Sequence, residues 1–159
     1  MAGVDGEGVP LTDEQHRRGL ERMYLTAPIN AFDEPRLRVL DGQATVEIDL
    51  SAKYFHAADA VHGSVYFKLL DDAAFFAANS IAHDVLLLTS AFTTYLIRPV
   101  TSGTLRAVGT VVHRGRSQCL AEAVLRDDDG REVGRGSGMF VRSNMACADA
   151  RGYGDVPGE

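Results

Sequence analysis

Residues 61–80 read VHGSVYFKLLDDAAFFAANS. From Ser64 to about Ala82, strong helix formers carry apolar side chains on nearly every face: Val65, Phe67, Leu69, Leu70, Ala73, Ala74, Phe75, Phe76, Ala77 and Ile81. A helix apolar almost all round has to be buried. Two adjacent carboxylates, Asp71 and Asp72, interrupt it, and His62-Gly63 stands at its entry. A carboxylate among Leu, Ala and Phe is costly to bury without a partner or a purpose. Lys68 lies one helical turn before Asp72 and suits it as an ion-pair partner, which leaves Asp71 for other work.

The elements flanking this helix predict an α+β layer architecture in which a sheet wraps it. Upstream, RLRVLDGQATVEIDL (36–50) alternates apolar and polar residues about Asp41-Gly42, a strong hairpin signal. Before it, Thr12 followed by Asp13, Glu14 and Gln15 predicts a capped helix running to about Leu25, with Leu20, Met23 and Tyr24 as its buried stripe. SAKYFHAADA (51–60) has no period and reads as a loop. Downstream, runs at about 85–98, 104–114 and 117–127 are rich in Val, Leu, Thr and Phe, and a fourth ends near Arg142 after the turn at Asp128-Asp129-Gly130. They read as consecutive strands of an antiparallel meander. Glycine and proline mark residues 1–11 and 144–159 as tails, leaving a single domain over 12–143.

Composition narrows the class of partner. With 159 residues, 45% of them hydrophobic, one sizeable core can be buried. A formal net charge of −6 gives no general attraction to nucleic acid or to an anionic membrane. No stretch approaches a membrane span, and the N-terminal residues lack the regions of a signal peptide, so a cytoplasmic location is expected. Cys119 and Cys147 are far apart, with neither CxxC spacing nor nearby histidines, which indicates neither a metal site nor a disulfide framework.

The segment VHGSVYFKLLDDAAFFAANS, the following LTSAFTTYLIRPV and the block GTVVHRGRSQCLAEAVLRDDDGREVGRGSGMF together resemble the PaaI-type acyl-CoA thioesterases of the hotdog superfamily. The resemblance covers about 40–142. It implies a hotdog fold, an antiparallel sheet wrapped around a long central helix, here with an extra N-terminal helix. In that family a His-Gly-Gly precedes the central helix, and an Asp nine residues after the His is the catalytic carboxylate; His62-Gly63 and Asp71 have this spacing. Thr89, eighteen residues after Asp71, falls where the family carries a Ser or Thr that assists the carboxylate or its water. Two positions depart from the pattern: Ser64 replaces the second glycine, and His56 replaces an Asn six residues before the His that helps position the thioester or the water.

Thioester hydrolysis needs an oxyanion stabiliser and a carboxylate, and a helix N-terminus supplies unpaired N–H groups of the correct polarity. Gly63 is placed for that role, with His62 and Ser64 beside it. About 13 Å along the axis and half a turn separate His62 from Asp71, so one site would draw Gly63 from one chain and Asp71 from a second, across a two-fold axis. The resemblance implies the same shared site, in a dimer or a dimer of dimers. Arg98, Arg114 and Arg116 are candidates for the phosphates of coenzyme A, which enters as part of the substrate and not as a cofactor. Phe67, Phe75, Phe76 and Phe92 line either an acyl tunnel or the core. General-base action of Asp71 on water is expected. Two alternatives stand beside hydrolysis: a hotdog hydratase or dehydratase working through His56 or His62, and a non-catalytic acyl-CoA sensor.

Overall fold

The computed structural model describes residues 11–154; residues 1–10 and 155–159, assigned above to tails, lie outside the described residues. Helix α1 spans Asp13–Thr26 and short helix α2 spans Asn30–Asp33. Strands β1 (Arg36–Leu40) and β2 (Gln43–Asp49) follow, then α3 (Gly63–Asn79). Strands β3 (Val85–Leu96), β4 (Thr104–Arg114), β5 (Gln118–Arg126) and β6 (Glu132–Ala146) complete the sheet. No helix among the described residues is long and apolar enough to cross a membrane.

The six strands form one antiparallel sheet in the order β1-β2-β4-β5-β6-β3, with α3 packed across it. This is the hotdog architecture. Local signals set most of it. Thr12 closes a capping box with Gln15 at the start of α1, and Leu20 and Tyr24 are buried as the stripe predicts. Gly42 takes φ +66° in the β1-β2 turn, a conformation glycine adopts without strain. On β5, Cys119, Ala121, Ala123 and Leu125 alternate into the core at the strand period of two.

Small residues bring helix and sheet close together. Ala73, Ala74, Ala77 and Ala78 of α3 are buried against a sheet face carrying Ala107, Gly109, Ala121 and Ala123. A Cβ on Gly109 would sit 2.1 Å from the Ala73 carbonyl oxygen, so this position accepts nothing larger than glycine.

Two expectations need correction. The last four strands are not a simple meander: β4, β5 and β6 are consecutive neighbours, but β3 crosses to the far side and pairs with β6. Residues 144–154, the described part of the C-terminal segment, are not a tail either. β6 continues to Ala146, and Cys147, Ala150 and Tyr153 are buried. The Tyr153 ring lies against Gly19 of α1, and its hydroxyl donates to His16 Nδ1 (2.6 Å), while His16 Nε2 donates to the Asn79 carbonyl (2.8 Å). This chain of contacts ties the C-terminus and α1 to the end of α3. Leu11, taken above as tail, packs against the core.

Candidate active site

The His62 ring caps α3. Its Nδ1 accepts from the Ser64 N–H (3.0 Å) and from the Ser64 hydroxyl (2.8 Å), so neutral His62 carries its proton on Nε2. Ser64 is therefore spent on the cap. Gly63, the first residue of the helix, has no carbonyl behind it in the helix, and its N–H takes no partner among the described residues. An unpaired N–H at the positive end of a helix is an anion-stabilising group. The missing Cβ also matters, because one built at Gly63 would meet Leu96 Cδ1 at 3.0 Å.

Asp71 and Asp72 have separate fates. Asp72 is held by the Tyr24 hydroxyl (2.6 Å) and by Lys68 one turn back, and Lys68 also donates to Asn30 Oδ1 (2.8 Å). Those bonds join α1, α2 and α3, as expected of a structural pair. Asp71 receives one hydrogen bond, from the Thr89 hydroxyl to Oδ1 (2.9 Å); its other oxygen accepts none among the described residues. Burial raises the Asp71 carboxyl above the ordinary carboxylate range, against the pull of the Thr89 bond, and the neighbouring Asp72 adds to the rise. A half-buried carboxylate with raised basicity and a free oxygen can accept a proton from water. A bulge between Thr89 and Ala91 shifts the β3-β6 register beside Thr89, and bulges of this kind re-aim side chains.

The site residues other than Thr89 fall in three depressions. Asp71 lies with His62, Ser64, Lys68 and Asp72 in a cleft of about 820 Å³, which Ile29, Phe32 and Phe55 also line. Gly63 lies in another, with His56, Tyr66, Leu96 and Arg98. Within one chain, Gly63 and Asp71 thus line different depressions. Arg114 and Arg116 line a third with His83 and Arg142, so a single chain does not bring them to Arg98. His56 accepts from the Ala58 N–H at Nδ1 (3.0 Å), and its ring stands 6.4 Å from that of His62. Phe67 stacks edge-on against Phe92 at 5.7 Å and lines the Asp71 cleft; Phe76 is buried, and Phe75 packs on Phe140.

Ile29, Asn30, Phe32 and Asp33 escaped the sequence reading. They occupy a short stretch between Pro28 and Pro35 in which four helical residues show no periodicity. The available signal was Phe32, a large apolar residue in a stretch bounded by Pro28 and Pro35.

Comparison with known proteins bears on the family and the fold. The family model described as the thioesterase superfamily matches residues 58–134, which include Gly63, Asp71 and Thr89. A Mycobacterium tuberculosis protein, Rv1847, which carries a provisional esterase name, is 30% identical over 97 residues, or 58% of this chain and 69% of that one. Among solved structures, the Escherichia coli PaaI protein of the phenylacetic acid degradation operon superposes with a TM-score of 0.76 at 21% identity, covering 84% of this chain and 97% of its own. Protein PA5202 of Pseudomonas aeruginosa gives 0.71 at 27% identity, covering 77% and 98%. With the hotdog sheet, the buried central helix and a matched segment spanning the helical carboxylate, the chain belongs to the thioesterase superfamily.

Proposed function

We propose that this chain hydrolyses an acyl-CoA to a free carboxylic acid and coenzyme A, with Asp71 as general base. One observation carries the proposal: of two adjacent aspartates on the central helix, Asp72 is consumed by Lys68 and Tyr24, while Asp71 keeps an oxygen free of partners among the described residues and a raised basicity on the wall of a cleft. In this mechanism Asp71 takes a proton from water as the water oxygen attacks the thioester carbonyl carbon. The tetrahedral oxyanion accepts from the Gly63 N–H of a second copy of the chain. The carbon–sulfur bond then breaks, and the proton held on Asp71 passes to the departing thiolate. Thr89 fixes the carboxylate rotamer through its 2.9 Å bond. His56, in the depression with Gly63, offers Nε2–H to the carbonyl in place of the family amide. Arg98, in the same depression, is the guanidinium assigned to the phosphates.

A second copy is supported by the sheet edge. Beyond Leu87, β3 exposes Leu88, Tyr95 and Leu96, with Ile97 just after it, and among the described residues no strand covers its outer side. An apolar uncovered edge favours pairing with another chain. The hydratase alternative is disfavoured because backbone N–H groups occupy Nδ1 of both His56 and His62, which leaves each neutral ring a donor rather than a base.

Free-thiol release from a panel of acyl-CoAs tests the proposal. Wild type should turn over at least one, and Asp71→Asn should lose roughly 100-fold or more in kcat. Binding of acyl-CoA with no turnover of any thioester by wild type would refute hydrolysis.

A further inference from the structure

The cleft beside Asp71 is far larger than the reacting group needs. At about 820 Å³ it lies near the top of the range that holds drug-sized ligands, and an acetyl group would leave most of it to water. Its lining is divided by chemistry. On α3, Ser64, Lys68, Asp71 and Asp72 supply polar groups and Val65, Phe67 and Leu69 apolar ones, and from outside α3 Ile29, Phe32 and Phe55 add apolar surface. Ile29 and Phe32 are 66% and 57% exposed.

The segment carrying them is anchored from behind by polar bonds. Asn30 is buried, donates to the Tyr24 carbonyl (2.6 Å) and accepts from Lys68. The Tyr54 hydroxyl donates to the Asp33 carbonyl (3.2 Å). Lys53 donates to the Phe32 carbonyl and lies over the Phe32 ring, 4.6 Å from its centroid, while Tyr54 meets that ring edge-on at 5.8 Å. Glu34, in the left-handed region at φ 47°, ends the turn. Side chains pinned at the cleft edge while their apolar surface remains largely open form a wall that a ligand can complete.

We infer that the cleft takes the acyl moiety itself, that this moiety is large and apolar, and that Ile29 and Phe32 of the α2 segment set its length. This inference rests on the hydrolase reading for the position of the thioester, and the occupant follows from continuity: the wall formed by α2 and the free oxygen of Asp71 border one cleft, so a thioester carbonyl at Asp71 can direct its acyl chain toward Phe32. Each methylene transferred from water to this wall tightens binding about fourfold.

The test is calorimetric titration of unhydrolysable S-alkyl coenzyme A thioethers, from methyl to dodecyl, against wild type, Ile29→Ala, Phe32→Ala and Leu25→Ala. Leu25 is exposed and does not line the cleft, and thermal melts establish that each variant is folded. Affinity should rise with alkyl length in wild type and Leu25→Ala, and the rise should flatten in the other two, with S-methyl binding unchanged. Affinity independent of length would overturn the inference, as would equal slopes in all four proteins or flattening in Leu25→Ala too. A change of oligomeric state in Phe32→Ala with an unchanged slope would assign the wall to contact with a second copy and also overturn it. Length-dependent binding without turnover of any thioester would overturn hydrolysis and leave the assignment of the cleft standing.

Discussion

Replacing Thr89 by valine keeps the β-branched shape that suits β3 and deletes one hydrogen bond, the 2.9 Å donation to Asp71 Oδ1. That bond stabilises the ionised carboxylate and opposes the rise caused by burial. A hydrogen bond to a buried charged group contributes roughly 1.5–3 kcal/mol. Asp71 is only half-buried, so water replaces part of the loss and about half of that, ~0.7–1.5 kcal/mol, remains. Divided by 1.36 kcal/mol per pH unit, this is a rise of about 0.5–1 unit in the Asp71 titration. A general base works when deprotonated, so the effect falls on the acid limb of kcat/KM, which should move to higher pH in Thr89→Val and return toward wild type in Thr89→Ser. Initial rates of thiol release between about pH 4 and pH 9 measure it. An acid limb that overlays wild type, or moves down, would refute the role given to Thr89.

Burial penalises the charged form of Asp71, so wild type loses stability as pH rises through its raised folded value. Asp71→Asn should therefore melt about 2–4 °C higher at pH 7, with the gain vanishing below about pH 4, where the carboxyl is protonated in both states. A melt showing equal or lower Tm at pH 7 would contradict this. The Arg142 guanidinium holds Asp84 well below the usual carboxylate range, a contribution present above about pH 4 and lost as pH falls. Arg142→Met should cost ~0.5–1 kcal/mol at neutral pH in urea titrations, with the cost shrinking only as pH falls below the ordinary carboxylate range toward about pH 2; a cost that does not shrink there would contradict the pairing. Gly109→Ala forces a methyl into the Ala73 carbonyl and should cost about 3 kcal/mol or more, so a wild-type urea midpoint would show that helix and sheet pack less closely than described.

Much of the fold was legible because it is local. Asp41-Gly42 marks its own hairpin, Thr12 and Gln15 their own cap, and the apolar run from Val65 to Ile81 most of its own burial, with Phe67 left exposed. The position of β3 was not legible, since its alternation fits pairing with β4 as well as β6, and the choice is made by contacts remote in sequence. The same limit hid the C-terminus: RGYGDVPGE has the composition of a tail, and only the notch at Gly19 and the His16 ring show where Tyr153 lodges. At the site, the pairing of Lys68 with Asp72 was readable from their spacing of one turn, but Tyr24 and Asn30, which complete that network, come from two other helices, α1 and α2. The α2 wall was invisible because a four-residue helix carries no periodic signal.

A mixed oligomer tests most directly whether Asp71 acts on a thioester held at Gly63 of a second chain. Gly63→Pro deletes the N–H at a helix position that accepts proline, and His62 at φ −65°, ψ 143° already has the backbone a following proline requires. Homo-oligomers of Gly63→Pro should lose about 100-fold or more in thiol release, as should those of Asp71→Asn. Differently tagged chains, one carrying each substitution, are purified as the heterodimer. One of its two shared sites keeps both wild-type groups, so about half of wild-type activity should return. A heterodimer as inactive as its parents would contradict the shared site.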